Sequence, residues 1–234
     1  MSAANKLRNH TERSNALHQE YLGNQAFFDR YEHFVAWQLD YMLPFYEDLR
    51  ATENYAAAVD FVVSDLTGIN ISGRDHDIAR IAPVMSRMLP EKALQTMASA
   101  MELNARILEI NLAICRALFQ DRPLDSEISE ADYRLACSSA SSLDECLDLV
   151  HLIEEIGRSL DHVIRIPMIG ITLKAMRAPA RLTGFGALQV FLEKGYTTFV
   201  ALEDVDQFLE DITLRMSVVF TKIFTMPPRA NNRP

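Results

Sequence analysis

From Glu91 to Phe119 the apolar residues Leu94, Met97, Met101, Ala105, Leu108, Leu112, Cys115 and Phe119 recur at steps of three and four. That spacing lines one side of an α-helix and neither face of a strand. It is the clearest long pattern in the chain, and the other segments agree with it. A first helix is expected from Lys6 to Tyr21, broken near Gly23. A second is expected from Gln25 to Arg50, kinked at Pro44, with Phe28, Tyr31, Phe34, Val35, Leu39 and Met42 facing inward. No stretch alternates as a half-buried strand does. Only 8 of the 234 residues are Gly and 9 are Pro, against abundant Ala, Leu, Met and Glu.

Local punctuation refines this. Tyr55 to Leu66 reads as helical, with Gly68 as its C-terminal stop and Ser72 as the cap of a following helix that carries Asp75 and Asp77 at its positive end. Pro83 is expected to bend that helix, and Pro90 suits the first turn of the next. Ser129 and Ser142 each stand three residues before an acid, Asp132 and Glu145, close to the capping-box pattern. Pro167 and Pro179 read as first-turn prolines of short helices, with Gly195 ending the second. Gly184 and Gly186 read as close helix packing. Glu203 or Asp204 opens a last helix to about Phe224. The expected fold is therefore all-α: a single orthogonal bundle of about nine to eleven helices over residues 1–225, its halves packed through the 91–119 and 143–165 helices. The polar stretch at 120–128 is the candidate linker, and 226–234 is expected to be a disordered tail.

Phe61, Asp65, Leu66, Gly68, Ser72, Arg74, Asp75, Asp77, Arg80, Ile81 and Pro83, in that order, resemble the bacterial family named for its FFLEELY motif. The motif itself is replaced here by the run from Phe61 to Thr67, which keeps the first Phe, the Leu and an acid before it. Trp37 with Gln38, the run from Tyr46 to Leu49, the run from Arg177 to Ala180, Gly184, and the run from Gly186 to Gly195 fit the same family. The resemblance covers residues 30 to 215. It implies an all-helical bacterial protein of this length, and it carries no activity or catalytic residue with it.

Composition excludes several classes. A net charge of −9 argues against a general nucleic-acid binder, which would be basic. The first residues lack the apolar core of a signal peptide, and no apolar run approaches a membrane span. Cys115, Cys137 and Cys146 match neither a disulfide framework nor a zinc motif. A cytoplasmic protein with reduced thiols is expected.

Candidate chemistry is sparse. Asp144, Asp148, His151, Glu155, Arg158 and His162 share one helical face. Asp148, His151 and Glu155 are the residues that would hold a metal ion if one bound, but a solvated face is the expected reading, and no metal or cofactor is expected. There is no Glu-x-x-His pair of the di-metal bundles, no phosphate-binding Gly-x-x-x-x-Gly-Lys loop and no Gly-x-Ser-x-Gly elbow. His76, between Asp75 and Asp77, belongs with helix-terminus charge, and His10, His18 and His33 are expected at the surface.

One segment stands apart. From His162 to Leu192 there is no Asp or Glu, while Arg165, Lys174, Arg177 and Arg181 sit among Ile, Met, Leu and Phe. A basic, apolar island in an acidic chain suits an anionic amphiphile or an acidic protein partner. The expected function is thus a non-enzymatic helical binding or scaffold protein using these four residues, with a homodimer as the commonest assembly. The alternative is a helical enzyme or ligand carrier with an internal apolar pocket. An enclosed pocket with converging polar groups would favour the second, and an exposed apolar patch the first.

Overall fold

Short polar side chains and prolines set where most of the helices begin. The computed structural model describes residues 1–65, 76–78, 80–81 and 89–225. Among these residues the chain forms ten α-helices, further helical residues at 76–78 and 80–81, and no strand. Helix α1 (Ala3–Leu22) starts where the Ser2 hydroxyl accepts a hydrogen bond from the Asn5 N–H at 3.3 Å. Helix α2 (Gln25–Met42) starts at Asn24, whose side-chain oxygen accepts from the Phe27 N–H at 3.2 Å. Pro44 has no N–H with which to continue the ladder, so Leu43–Tyr46 tightens into a 3-10 turn before the short α3 (Glu47–Arg50). Helix α4 (Ala56–Asp60) widens into a π turn over Phe61–Asp65.

Helix α5 (Glu91–Phe119) runs unbroken for 29 residues. Helix α6 (Glu130–Ala140) opens with a reciprocal cap: Ser129 Oγ accepts from the Asp132 N–H at 3.1 Å, and the Asp132 carboxylate accepts from the Ser129 N–H at 3.2 Å. Helix α7 (Leu143–Ile164) is capped by Ser142 Oγ, which accepts from the Glu145 N–H at 3.2 Å. Helices α8 (Pro167–Leu182) and α9 (Gly186–Val200) follow as a hairpin, and α10 (Val205–Thr225) begins at Asp204, whose carboxylate accepts from the Gln207 N–H at 2.9 Å.

Helix α5 is the spine. Helix α1 lies along it, with Leu7 packed near Leu94, Ala98 and Met101. Asn104 of α5 donates to Ser14 Oγ at 2.9 Å, and Arg13 and Arg116 pair with Glu109 and Glu20 along the rim. Farther along α5, Leu108, Leu112 and Phe119 share a cluster with Phe34 of α2, Tyr133 of α6 and Val219 and Ile223 of α10. Residues on both sides of the expected linker thus share one cluster, and Ile128 within that stretch is itself buried in it. Helices α5 and α7 meet at Thr96 and Ser159, whose hydroxyls are 2.6 Å apart. Buried Arg134 of α6 donates to the carbonyl of Ile223 at 3.0 Å, satisfying a carbonyl in the last turn of α10.

Four expectations are corrected. Pro179 lies inside α8 and not at a helix start, because only one further turn follows it before Thr183 closes the helix on Pro179 O at 3.1 Å. Gly195 lies inside α9: a Cβ there would come within 2.8 Å of Phe61 Cζ, so the glycine is a packing notch and not a stop. Gly184, with φ +83° and nothing within 4 Å of a Cβ, is the turn residue between α8 and α9, and Gly186 has only Arg181 Cγ, at 4.0 Å. The close-packed glycines are instead Gly157 against Leu209 and Gly170 against Tyr196, together with Gly195. His18 is buried, because its Nδ1 lies 2.8 Å from the Tyr21 hydroxyl and satisfies the ring's polarity. The Gly68 stop, the Ser72 cap with Asp75, the Pro83 bend and the 226–234 tail lie outside the described residues, whereas 76–78 and 80–81 are helical as expected.

Phe61 cannot easily yield to a side chain at 195, since its ring stacks on Phe191 at 5.3 Å and meets Phe199 edge-on at 5.9 Å. Gly195→Val is therefore expected to destabilise the fold by about 1–3 kcal/mol, the usual cost of overpacking. Chemical denaturation of the variant beside the parent measures it, and an unchanged midpoint would remove the notch from this account.

Candidate functional site

The island resolves into two parts. Arg165 caps the C-terminus of α7 and donates to both oxygens of Asp161, at 3.0 and 2.9 Å, so it serves that helix end. Lys174, Arg177 and Arg181 share one side of α8 at steps of three and four, and all are exposed. Beside them runs a second stripe, Met168, Ile171, Ala175, Ala178 and Leu182, also at steps of three and four and also exposed. Met168, Ile171 and Leu182 stand 70, 68 and 88% open. Three large apolar side chains in water on one helix, next to three bases and no acid, are the unusual surface feature here.

The opposite side of α8 explains why this stripe faces out. Gly170 lets α8 approach Tyr196 of α9, Ala180 is buried, and Gln189 of α9 donates to the Leu173 carbonyl at 2.6 Å. Arg177 reaches back to α9, where its Nε donates to both Glu193 oxygens at 2.7 and 3.0 Å. Lys174 and Arg181 form no ion pair with the described residues. The hydrogen bond from Arg177 is the main reason that Glu193 is held down to about 2, with Gln189 next.

The metal alternative finds no support in the geometry. Asp148, His151 and Glu155 are exposed on the outer side of α7, and among the described residues no three His, Cys, Asp or Glu side chains are grouped to hold an ion. Arg158 on the same stripe pairs with Glu154 and Asp206. His76 is exposed, and Asp77 lies 3.6 Å from Arg80.

A second feature lies inside. A cavity of about 170 Å³ opens between α2, the 3-10 turn, α5, α6, α7 and α10. Its walls are mostly apolar, and Gln38, Asn111 and Tyr133 converge on it from three helices. Gln38 Nε2 donates to Tyr133 Oη at 3.0 Å and to Asn111 Oδ1 at 3.4 Å. Tyr31, beside Asn111, and Cys137, one turn on from Tyr133, continue the cluster. Burial pushes the Tyr31 and Tyr133 phenols well above their usual range and the Cys137 thiol up to about 12, so this network is uncharged at neutral pH. The sequence held a trace of it. Gln38 follows Phe34 by four and Val35 by three, which places a polar residue on the inward stripe of α2.

Glu193 supplies a pH dependence. Its carboxyl is at about 2 in the folded chain against an ordinary 4.5, so the pairing stabilises the fold fully above 4.5 and is lost as pH falls through about 2. Glu193→Gln is expected to flatten that segment of the stability–pH curve, measured by urea unfolding from pH 4.5 down to 2. An unchanged slope would mean that Arg177 and Glu193 do not pair in solution.

Compared with known proteins, residues 18–230 match the family described as a domain of unknown function, DUF8198. No curated protein and no solved structure matches the chain. No helix among the described residues is long and apolar enough to cross a membrane. The family match begins within α1 and runs through α10, which includes both the α8 surface and the cavity, so the chain belongs to the DUF8198 family.

Proposed function

We propose that the chain is a non-enzymatic binding protein that docks on an anionic lipid surface through the outer side of α8. One observation carries the reading: Met168, Ile171 and Leu182 are exposed in a row beside Lys174, Arg177 and Arg181. An amphipathic helix lying in the headgroup layer needs this pairing of an apolar stripe with a basic flank. Each base near an anionic surface contributes roughly 1 kcal/mol, and immersion of the three apolar side chains adds to it at about 25 cal/mol per Å². The net charge of −9 supports a single orientation, because most other faces would be repelled.

The resemblance to FFLEELY-motif proteins supports a bacterial source. The three free, buried cysteines support a reducing compartment, the cytoplasm. A two-fold dimer is the assembly to look for by native mass spectrometry.

The test is flotation with vesicles of phosphatidylcholine alone and vesicles enriched in phosphatidylglycerol. The protein is expected to float only with the anionic vesicles, and less as salt is added. Arg177→Glu is a poor probe because it would set two carboxylates against each other at Glu193. Lys174→Glu combined with Arg181→Glu should reverse the basic flank and abolish flotation while leaving the helical signal intact. Equal flotation with neutral vesicles, or no effect of the double substitution, would sink the reading. Capture of an acidic protein by the same residues, without vesicle binding, would replace the lipid surface with a protein one.

A further inference from the structure

The cavity is remote from the outer side of α8, and none of its lining belongs to that helix. We infer that it is a binding site for a small, neutral, ring-sized molecule bearing one hydroxyl, with Gln38 as the polar anchor. Three observations carry this. The volume is about 170 Å³, and an apolar cavity of about 150 Å³ is enough to hold a benzene ring. The wall carries no acid or base: around Gln38, Asn111 and Tyr133 it is built from side chains such as Leu39, Ile114, Ile153 and Met216. A charged ligand would therefore be desolvated there with nothing to compensate it.

The third observation is the state of the polar groups. Gln38 uses its amide nitrogen twice, on Tyr133 and Asn111, but no described residue donates to its Oε1. Among the described residues no side-chain oxygen is both fully buried and unpartnered, so this acceptor is not sealed in the packing and is open to an added donor. A hydroxyl donates to Oε1 and leaves the existing network intact. A hydrocarbon of the same shape would gain the apolar contacts and leave the acceptor unused.

The probes are p-cresol and toluene, matched in shape and differing in the hydroxyl. Each is titrated into the full chain carrying ¹³C-methyl methionine, with methionines assigned by single Met→Leu substitutions. Met42 and Met216 line the cavity, while Met168 stands on the surface of α8. The expected result is saturable shifts of Met42 and Met216, none of Met168, and p-cresol bound about fivefold more tightly than toluene, one ordinary hydrogen bond's worth. Gln38→Leu should equalise the two, and Ile153→Phe, which fills the space, should abolish both. Should either variant fail to fold, the wild-type titration decides alone. Unmoved Met42 and Met216, or equal affinity for the two probes in the wild type, overturns the inference. Shifts confined to Met168 overturn it as well, and would direct attention back to α8. Because vesicle flotation does not involve the cavity, its failure leaves this result standing, and the reverse holds too.

Discussion

The apolar side of α5 has to be covered along its whole length, and at 1.5 Å per residue 29 residues extend about 44 Å. No single partner reaches that far. Helix α1, with 20 residues, spans about 30 Å and takes the N-terminal part, where Leu7 sits against Leu94 and Met101. Beyond it Phe34, Tyr133 and Val219 from three other helices take the rest. The bundle is assembled around this requirement. The cavity lies against the same spine, with Ile107, Ile110, Asn111 and Ile114 of α5 in its wall. Where several helices share the covering of one long helix, their surfaces need not meet everywhere, and open volume between them is a natural result.

Much of this was legible in the residues. Helix boundaries governed by one side chain came through: Ser129, Ser142 and Asp204 cap their helices as their spacing implies. So did the inward row of α2 and the stripe of α5, because burial follows the helical period directly. Features that depend on a distant neighbour were not legible. Gly195 reads as a stop until Phe61, far away in sequence, is seen filling the space over it. His18 reads as a surface residue until its helix is seen packed along α5, where Tyr21, three residues on, satisfies the buried ring. Pro179 reads as a helix start because local rules cannot register that the hairpin with α9 holds the last turn in place.

The two candidate sites show the same division. The acid-free segment behind the α8 surface was visible in composition, but that its apolar stripe stands in water was not. Nor was the division of labour within it: Arg165 belongs to the end of α7, and Arg177 is shared with Glu193. Lys174 and Arg181 are left as the bases that make no such pair among the described residues. The cavity had only a trace, one polar residue on an apolar stripe, because Gln38, Asn111 and Tyr133 lie on separate helices and meet only through the packing around α5.

Pro179 has a consequence for how far α8 can sink. Without an N–H at that position, the Ala175 carbonyl loses its usual helical donor, and Ala175 lies on the exposed side. In water this is harmless. Immersed in hydrocarbon it would leave a bare carbonyl, which lipid tails cannot satisfy. A helix built this way has a draught line: it can float among hydrated headgroups, where donors abound, but not below them.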